Sequence, residues 1–171
     1  MTGKLDDKGT PPVGFVGIGN MGWPMAARLV AAGFTVQVAD GQPARADTFA
    51  QQVGGTAADG LPALAGASEL LITMLPTSAA VGVVLDAVLP HLRPGAIVLD
   101  MTNGEPTATR QLAARVAEAG GAMVDAPVSG GVARARTGQL AIMAGGGDAA
   151  IERARPALVS TITEAQSTSG R

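Results

Sequence analysis

A short glycine-rich run near the amino terminus, the glycine run below, carries the clearest chemical signal in this sequence of 171 residues. It fits the spacing G-x-G-x-x-G, and its members are Gly17, Ile18, Gly19, Asn20, Met21 and Gly22. In this pattern the first glycine permits a tight turn, the second lets a pyrophosphate approach the backbone, and the third lets a helix pack closely on a strand. Unpaired amides at the start of that helix then face the phosphate charge. The run therefore predicts a dinucleotide-binding turn.

The surroundings of the glycine run strengthen this prediction, which the spacing alone would leave weak. A chain with 24 glycines in 171 residues contains such a spacing by chance roughly 0.5 times. Here, however, a predicted strand precedes the run, a predicted helix follows it, and a second predicted strand ends at Asp40, 23 positions after Gly17. A carboxylate at that spacing holds the ribose hydroxyls and repels a 2′-phosphate, so Asp40 favours NAD. Arg45 lies within reach of the same site and leaves NADP open as the alternative.

Short apolar runs alternate with helical patterns along the chain, which is typical of βαβ units. Strands are predicted at 13–18, 34–39, 70–74, 96–100, 122–126 and 140–144. Helices are predicted at 21–32, 44–52, 58–66, 78–89 and 107–119, with helical spacing again at 151–159. Continuous apolar runs such as 70–74 are expected for strands that are buried on both faces. We therefore predict an α/β fold of the Rossmann type, with a doubly wound and mostly parallel sheet.

Composition excludes several other classes of function. Apolar residues make up 47% of the chain and the net charge is −2, so no basic surface is expected for nucleic acid or for an anionic membrane. Cysteine is absent, which removes disulfides, thiolate zinc sites and cysteine nucleophiles, and we expect no metal site. No apolar run reaches the roughly 18 residues of a membrane span, and residues 1–10 lack the apolar region of a secretory signal. We expect a cytoplasmic protein.

The predicted domain boundaries follow from where apolar periodicity begins and ends. Residues 1–12 are expected to form a disordered tail, and residues 13–159 a dinucleotide-binding Rossmann domain. Residues 160–171 are rich in Ser and Thr and lose the apolar spacing, so we expect a disordered or truncated end there.

Four stretches together resemble a known enzyme family. They are residues 14–25, 72–76, 99–103 and 125–131, and the last, Asp-Ala-Pro-Val-Ser-Gly-Gly, is the most specific. The sequence resembles the β-hydroxyacid dehydrogenases, which include 3-hydroxyisobutyrate dehydrogenase and tartronate semialdehyde reductase and are related to 6-phosphogluconate dehydrogenase. The likeness runs from about residue 13 to residue 158, so it covers the N-terminal NAD-binding domain of that family only.

The resemblance implies a role for each matching position. The glycine run would hold the pyrophosphate of NAD. The adenosine side of the site would be bordered by Met74, Leu75 and Pro76, and Asn103 would face the nicotinamide ribose. The substrate carboxylate would be bound by Ser129, Gly130 and Gly131. Residue types alone leave a simpler explanation open for each, namely a strand end stopped by proline at 74–76 and an ordinary turn at 129–131.

Two positions depart from the family pattern and bear on the choice of substrate. Asn103 stands where the family has Ser or Thr, and Arg134 stands where a small residue is usual. Asp100 and Asp125 both end predicted strands, but nothing in the sequence shows that they meet. His91 lies at a predicted helix end, where a structural or exposed role is expected. The identity of the hydroxy acid therefore stays open.

The general acid/base of the family is missing from this sequence. In the family, a lysine on a second, all-helical domain takes the hydroxyl proton as the hydride leaves. Here the lysines are Lys4 and Lys8, and tyrosine is absent. We therefore assign no catalytic residue, expect the helical domain to be absent, and hypothesise a truncated chain that retains the cofactor domain. Without the helical domain, a homo-oligomer is not expected.

Two classes of function fit these observations. The first is an NAD(P)-dependent oxidoreductase of the β-hydroxyacid dehydrogenase type, which transfers hydride between a small 3-hydroxy acid and its semialdehyde. The second is a non-catalytic NAD(P)-binding module or remnant. An imine reductase, which shares the architecture, is a third reading, and the preference for NAD expected from Asp40 argues against it. The expected partners are NAD and a small hydroxy acid, with no nucleic acid and no membrane.

Overall fold

A six-stranded parallel sheet organises residues 9–161, which are the residues that the computed structural model describes. The strands are β1 (Val13–Val16), β2 (Val36–Ala39), β3 (Thr56–Ala57), β4 (Leu70–Thr73), β5 (Ile97–Asp100) and β6 (Ala122–Asp125). Their order across the sheet is β3-β2-β1-β4-β5-β6, and each neighbouring pair is parallel. The order reverses between β1 and β4, which makes the fold doubly wound. The predicted fold class is confirmed.

Helices cover both faces of this sheet. They are α1 (Gly22–Ala31), α2 (Pro43–Gln52), α3 (Leu61–Ala67), α4 (Ser78–Val88), α5 (Pro106–Glu118), α6 (Gly131–Thr137) and α7 (Asp148–Thr161), and a 3-10 turn at Leu89–His91 follows α4. One apolar cluster joins α1, α2, α6 and α7 to one face, and a second cluster joins α3, α4 and α5 to the other. Successive side chains of β4 alternate between the clusters, since Ile72 enters the first and Leu71 the second.

The central strands are buried on both faces, as their continuous apolar sequences predict. Every residue of β1, β4 and β5 is buried. β1 ends at Val16, two residues before the end of the predicted strand, because Gly17 adopts a φ of +96° that breaks the extended backbone. The sheet therefore stops where the glycine run begins.

A small antiparallel sheet lies beyond β6, where the sequence predicts a single longer strand at 140–144. In this sheet β7 (Val128–Ser129) pairs with β8 (Ala141–Ile142). The backbone N–H of Gly145 donates to the carbonyl oxygen of Asp125 at 2.7 Å, and the return bond measures 2.9 Å. Because this bridge is antiparallel, the segment folds back along the edge of β6 instead of adding a parallel strand.

Like β7, the elements β3 and α6 have no counterpart in the sequence prediction. β3 has two residues, which is too short to show any periodicity. α6 starts at Gly131 and buries Ala135 alone among its seven residues, so it carries no apolar stripe that would mark a helix. Neither element therefore leaves a pattern that sequence analysis could detect.

The end of the domain differs slightly from the predicted boundary at residue 159. α7 continues through Ser160 to Thr161, whose side chain is buried. Most of the predicted disordered ends, residues 1–8 and 162–171, lie outside the described residues. Within residues 9–161, no helix is long and apolar enough to cross a membrane. In the same range, no group of three or more His, Cys, Asp and Glu side chains could hold a metal ion.

Candidate functional site

Each glycine of the glycine run meets a different spatial demand in the turn between β1 and α1. A side chain at Gly17 would collide with the carbonyl oxygen of Met74, and a side chain at Gly22 would collide with the carbonyl oxygen of Gly17. Gly19 differs, because a Cβ built there meets a single atom of the described residues within reach, Arg45 Nη1 at 4.0 Å. The space over Gly19 is therefore open to a ligand, as the motif predicts.

The amino terminus of α1 borders this open space, since Gly22 and Gly19 line one cavity. Met21 precedes the helix and provides no side-chain acceptor for those amides. The Trp23 N–H donates to the Gly19 carbonyl oxygen at 2.9 Å, which holds the turn against the helix. Amides without partners at a helix start, together with the positive end of the helix dipole, attract anions. The turn can thus bind a phosphate group through its backbone.

Asp40 links the glycine run to the end of β2. One carboxylate oxygen, Oδ2, accepts the Ile18 N–H at 3.0 Å, and the other, Oδ1, accepts the Gln42 N–H at 2.9 Å. Arg45 completes the set with an ion pair from Nη1 to Oδ1 of 3.1 Å. The Asp40 side chain is 7% exposed, so these contacts fix its position. The predicted ribose-binding carboxylate therefore lies directly beside the predicted phosphate turn.

A cavity of about 510 Å³ brings most of the predicted cofactor residues together. It is lined by Gly17, Gly19, Asn20, Met21, Gly22, Asp40, Gly41, Gln42, Arg45, Met74, Leu75 and Pro76. The remaining member of the glycine run, Ile18, is fully buried and points into the core. The cavity lies at the carboxyl ends of β1, β2 and β4, where doubly wound sheets bind their ligands.

Asn103 faces a second cavity, of about 550 Å³, which Pro76 also borders. The Asn103 side chain donates from Nδ2 to the Val128 carbonyl oxygen at 3.2 Å, so it ties the loop after β5 to β7. Ser129 follows directly in β7. The structure thus brings Asn103 next to the strand of the predicted substrate residues, and Pro76 lines both its cavity and that of the glycine run.

The predicted substrate residues occupy the junction between β7 and α6. Ser129 is exposed, and Gly130 and Gly131 have φ angles of +135° and +73°. A Cβ built at Gly130 would lie 2.8 Å from Arg134 Cδ, so the stem of that arginine covers the Gly130 backbone. None of the three residues lines the two cavities described above. Their proposed contact with a substrate therefore remains a prediction.

A third cavity, of about 850 Å³, separates α1 from α6 and was not foreseen from the sequence. It extends from Gly19 and Asn20 along α1 to Arg28, and Val132 and Arg136 of α6 form its opposite wall. Because α6 carries no periodic signal, its proximity to the glycine run could not be predicted. The structure nevertheless places the start of α6, with the predicted substrate residues, on the same side of the sheet as α1.

Two carboxylates stand side by side below the cleft. Asp100 and Asp125 are register partners in the parallel strands β5 and β6. Burial raises the pKa of Asp100, and hydrogen bonds from Thr102 and Thr73 offset part of that rise. Burial also raises the pKa of Asp125, and the neighbouring Asp100 carboxylate raises it further. The sequence did not show whether these two carboxylates lie close together, although two strand ends separated by one helix often become neighbours.

A family model described as the NAD binding domain of 6-phosphogluconate dehydrogenase matches residues 12–167. The chain belongs to this family. Its NAD-binding domain is 41% identical over 147 residues to the NAD-dependent L-serine dehydrogenase of Pseudomonas aeruginosa, a match that covers 84% of this chain and 49% of that protein. It is also 38% identical over 141 residues to human mitochondrial 3-hydroxyisobutyrate dehydrogenase, covering 79% of this chain and 41% of that protein.

Solved structures agree with this membership. The NAD-binding domain superimposes on 3-hydroxyisobutyrate dehydrogenase of Mycobacterium tuberculosis, solved with L-serine, with a TM-score of 0.88 and 35% identity. That match covers 92% of this chain and 54% of the solved chain. The chain thus spans about half the length of the relatives that it matches. The resemblance to the β-hydroxyacid dehydrogenases is confirmed.

His91 lies away from the cleft of the NAD-binding domain. It is exposed in the 3-10 turn at Leu89–His91, which leads into the amino end of β5. The cleft is at the carboxyl ends of the strands, so the whole length of β5 separates the imidazole from it. The expected structural or exposed role of His91 is consistent with this position.

Proposed function

We propose that this NAD-binding domain holds NAD across the carboxyl ends of its central strands. The glycine run would bind the pyrophosphate, Asp40 would bind the adenosine ribose, and residues 74–76 would border the adenosine. One observation carries the proposal: these three segments, which lie far apart in sequence, line a single cavity of about 510 Å³. Pockets of roughly 300–1,000 Å³ are typical for ligands of this size.

The nicotinamide half of NAD would extend towards Asn103. Pro76 borders both the cavity of the glycine run and the cavity that Asn103 lines, so the two cavities adjoin at this residue and NAD would pass from one to the other there. When bound, NAD supplies the acceptor for a hydride. The described residues contribute the surface that orients it, and the Asn103 amide offers both a donor and an acceptor to the ribose.

The arrangement around Asp40 favours NAD over NADP. A 2′-phosphate on the adenosine ribose would be placed near the Asp40 carboxylate, and like charges repel at that range. Arg45 could compensate, but its Nη1 is already bonded to both Asp40 oxygens, at 3.1 and 3.3 Å. A phosphate bound by Arg45 would have to share the guanidinium with Asp40 and with Gln42, which Nη2 contacts at 3.2 Å.

We further infer that this domain serves hydride transfer between a small 3-hydroxy acid and its semialdehyde. The relatives support this inference, since they include an L-serine dehydrogenase and 3-hydroxyisobutyrate dehydrogenases. Ser129, Gly130 and Gly131 would bind the substrate carboxylate through one hydroxyl and the backbone amides. We expect the domain to act in the cytoplasm, and we expect no homo-oligomer of the domain by itself.

A second candidate function is a non-catalytic NAD-binding module. The residue types available as proton acceptors favour the non-catalytic module. Alcohol oxidation needs a group that takes the hydroxyl proton as the hydride leaves. The lysines of the sequence are Lys4 and Lys8, and tyrosine is absent. His91 precedes the amino end of β5, whereas the cleft lies at the carboxyl ends of the strands. Cofactor binding requires none of these groups, so the module could bind NAD without turning over a substrate.

Calorimetric titration of the chain with NAD and with NADP tests the first proposal. We expect NAD to bind, and to bind more tightly than NADP. If NAD does not bind, the proposed cofactor site is wrong. Steady-state assays with 3-hydroxyisobutyrate and L-serine then separate the two functions. Turnover by the chain supports the dehydrogenase, and binding without turnover supports the non-catalytic module.

A further inference from the structure

Three polar side chains are sealed beneath the cleft, at the carboxyl ends of β4 and β5. The residues are Thr73, Asp100 and Thr102, and their exposed fractions are 0%, 2% and 1%. None of them lines either cavity of the proposed NAD site. Burying a polar group costs free energy unless it is hydrogen-bonded. The hydrogen-bond partners of these three side chains therefore indicate what the group does.

The three side chains form one hydrogen-bonded chain that ends on a cleft loop. Asp100 Oδ1 accepts the Thr73 hydroxyl at 2.8 Å and the Thr102 backbone N–H at 3.1 Å. Thr102 Oγ1 in turn accepts the Leu75 backbone N–H at 3.0 Å, a bond we call the Thr102 link. The Thr73, Asp100 and Thr102 side chains are almost fully buried, so removing the Thr102 hydroxyl takes away the acceptor that the Leu75 amide has in this structure.

The Thr102 link joins the two loops that border the proposed NAD site. Leu75 is the middle residue of the 74–76 segment, which lines the first cavity. Thr102 directly precedes Asn103, which lines the second. On its other side the 74–76 segment presses on the glycine run, since a Cβ built at Gly17 would lie 2.9 Å from Leu75 Cδ2. The segment is therefore held between Gly17 and Thr102.

We propose that Thr102, itself fixed by Asp100, is a positioning residue that holds the 74–76 segment at the distance from the glycine run that NAD requires. The proposal rests on the proposed function, because it concerns the geometry of the same cavity. Thr102 would not touch NAD. It would act through the Leu75 amide, and removing its hydroxyl would let the segment move away from β5 and change the width of the first cavity.

Two substitutions at Thr102 separate the hydroxyl from the shape of the side chain. Thr102→Val keeps the shape and removes the acceptor of the Leu75 amide, whereas Thr102→Ser keeps the hydroxyl. Thr161→Val is the matched control, because Thr161 is equally buried and its hydroxyl donates within α7, to the Leu158 carbonyl oxygen at 2.8 Å. We expect T102V to raise the Kd for NAD about tenfold and T102S and T161V to stay within about twofold of the wild type.

Amide hydrogen exchange at Leu75 provides a readout that does not depend on NAD. We expect the Leu75 amide to exchange faster in T102V than in the wild type and in T102S, at unchanged exchange of the β1 amides. Equal NAD affinity in T102V and the wild type, or T102S as weak as T102V, overturns the proposal. If the wild type fails to bind NAD, the proposed function fails. In that case the exchange rates alone test whether Thr102 holds the 74–76 segment. Unchanged Leu75 exchange in T102V overturns this positioning role, and faster exchange supports it.

Discussion

Asp100 and Asp125 are register partners at the carboxyl ends of two adjacent parallel strands. Residues opposite each other in neighbouring strands point to the same face of a sheet, so the two carboxylates are neighbours on one face. Asp100 is the more deeply buried of the two, and it accepts hydrogen bonds from the Thr73 hydroxyl and the Thr102 backbone N–H. Burial raises the pKa of Asp125, and the negative charge of the neighbouring Asp100 raises that pKa further.

The raised pKa of Asp125 predicts a pH dependence of stability with a definite sign. A carboxyl whose pKa is higher in the folded than in the unfolded state holds its proton longer when folded, so its contribution to stability is greatest at low pH. That contribution is lost as the pH rises above the ordinary value of 3.8 and through the raised pKa. We expect Asp125→Asn to lose less stability than the wild type between about pH 4 and about pH 7, measured as urea midpoints. A difference between the two proteins that is the same at both pH values would contradict this.

The unequal space around the glycines predicts that two substitutions separate folding from binding. Gly22→Ala should destabilise the fold by about 2–3 kcal/mol, because its methyl group collides with the Gly17 carbonyl oxygen, which belongs to the backbone and cannot easily yield. Gly19→Val should leave the melting temperature nearly unchanged and abolish NAD binding, since its side chain fills the open space over the turn. Thermal unfolding and calorimetry measure the two effects. A G19V protein that binds NAD normally would remove the glycine run from the site.

Asp40→Ala should weaken NAD binding about tenfold and narrow the preference for NAD over NADP. The substitution removes the acceptor for the ribose hydroxyls, and it also frees Arg45, whose Nη1 lies 3.1 Å from the Asp40 carboxylate. The exposed Asp47 on α2 offers a matched control, and Asp47→Ala should change neither affinity. If D40A kept the wild-type ratio of the NAD and NADP dissociation constants, Asp40 would have no part in choosing the cofactor.

The chain should show turnover close to background even when it binds NAD. General acid–base assistance is typically worth roughly 10²–10⁴-fold in rate, and the described cleft holds no lysine, tyrosine or histidine that could supply it. Single-turnover assays with 3-hydroxyisobutyrate and NAD, followed by NADH absorbance, measure this directly. A rate far above background would mean that another group takes the proton.

The parallel sheet could be predicted from the sequence because its central strands are buried on both faces. A strand such as β4 then appears as an unbroken apolar run, and its position follows from that run. The antiparallel pairing of β8 with β7 could not be predicted, because it is made through backbone atoms that leave no trace in residue type. α6 escaped prediction for a related reason, since Ala135 is its only buried residue.

The candidate site was predictable where function constrains residue type and unpredictable where it depends on tertiary contact. The glycine spacing indicated the phosphate turn, and the structure explains it by collisions at Gly17 and Gly22. The bond from the Ile18 amide to Asp40 joins residues 22 positions apart, and periodicity does not report such bonds. The link between Leu75 and Thr102 spans 27 positions and was likewise invisible in the sequence.

The parallel pairing of β1 with β4 has a consequence for the order in which the molecule folds. Val13 pairs with Leu70, and between them the chain completes α1, β2, α2, β3 and α3. Such a non-local pairing has a high entropic cost and forms late, because the whole intervening loop must close first. The cleft cannot exist before this closure, so we expect NAD to bind only after the rate-limiting step of folding. Its binding should then slow unfolding and leave the rate of refolding almost untouched.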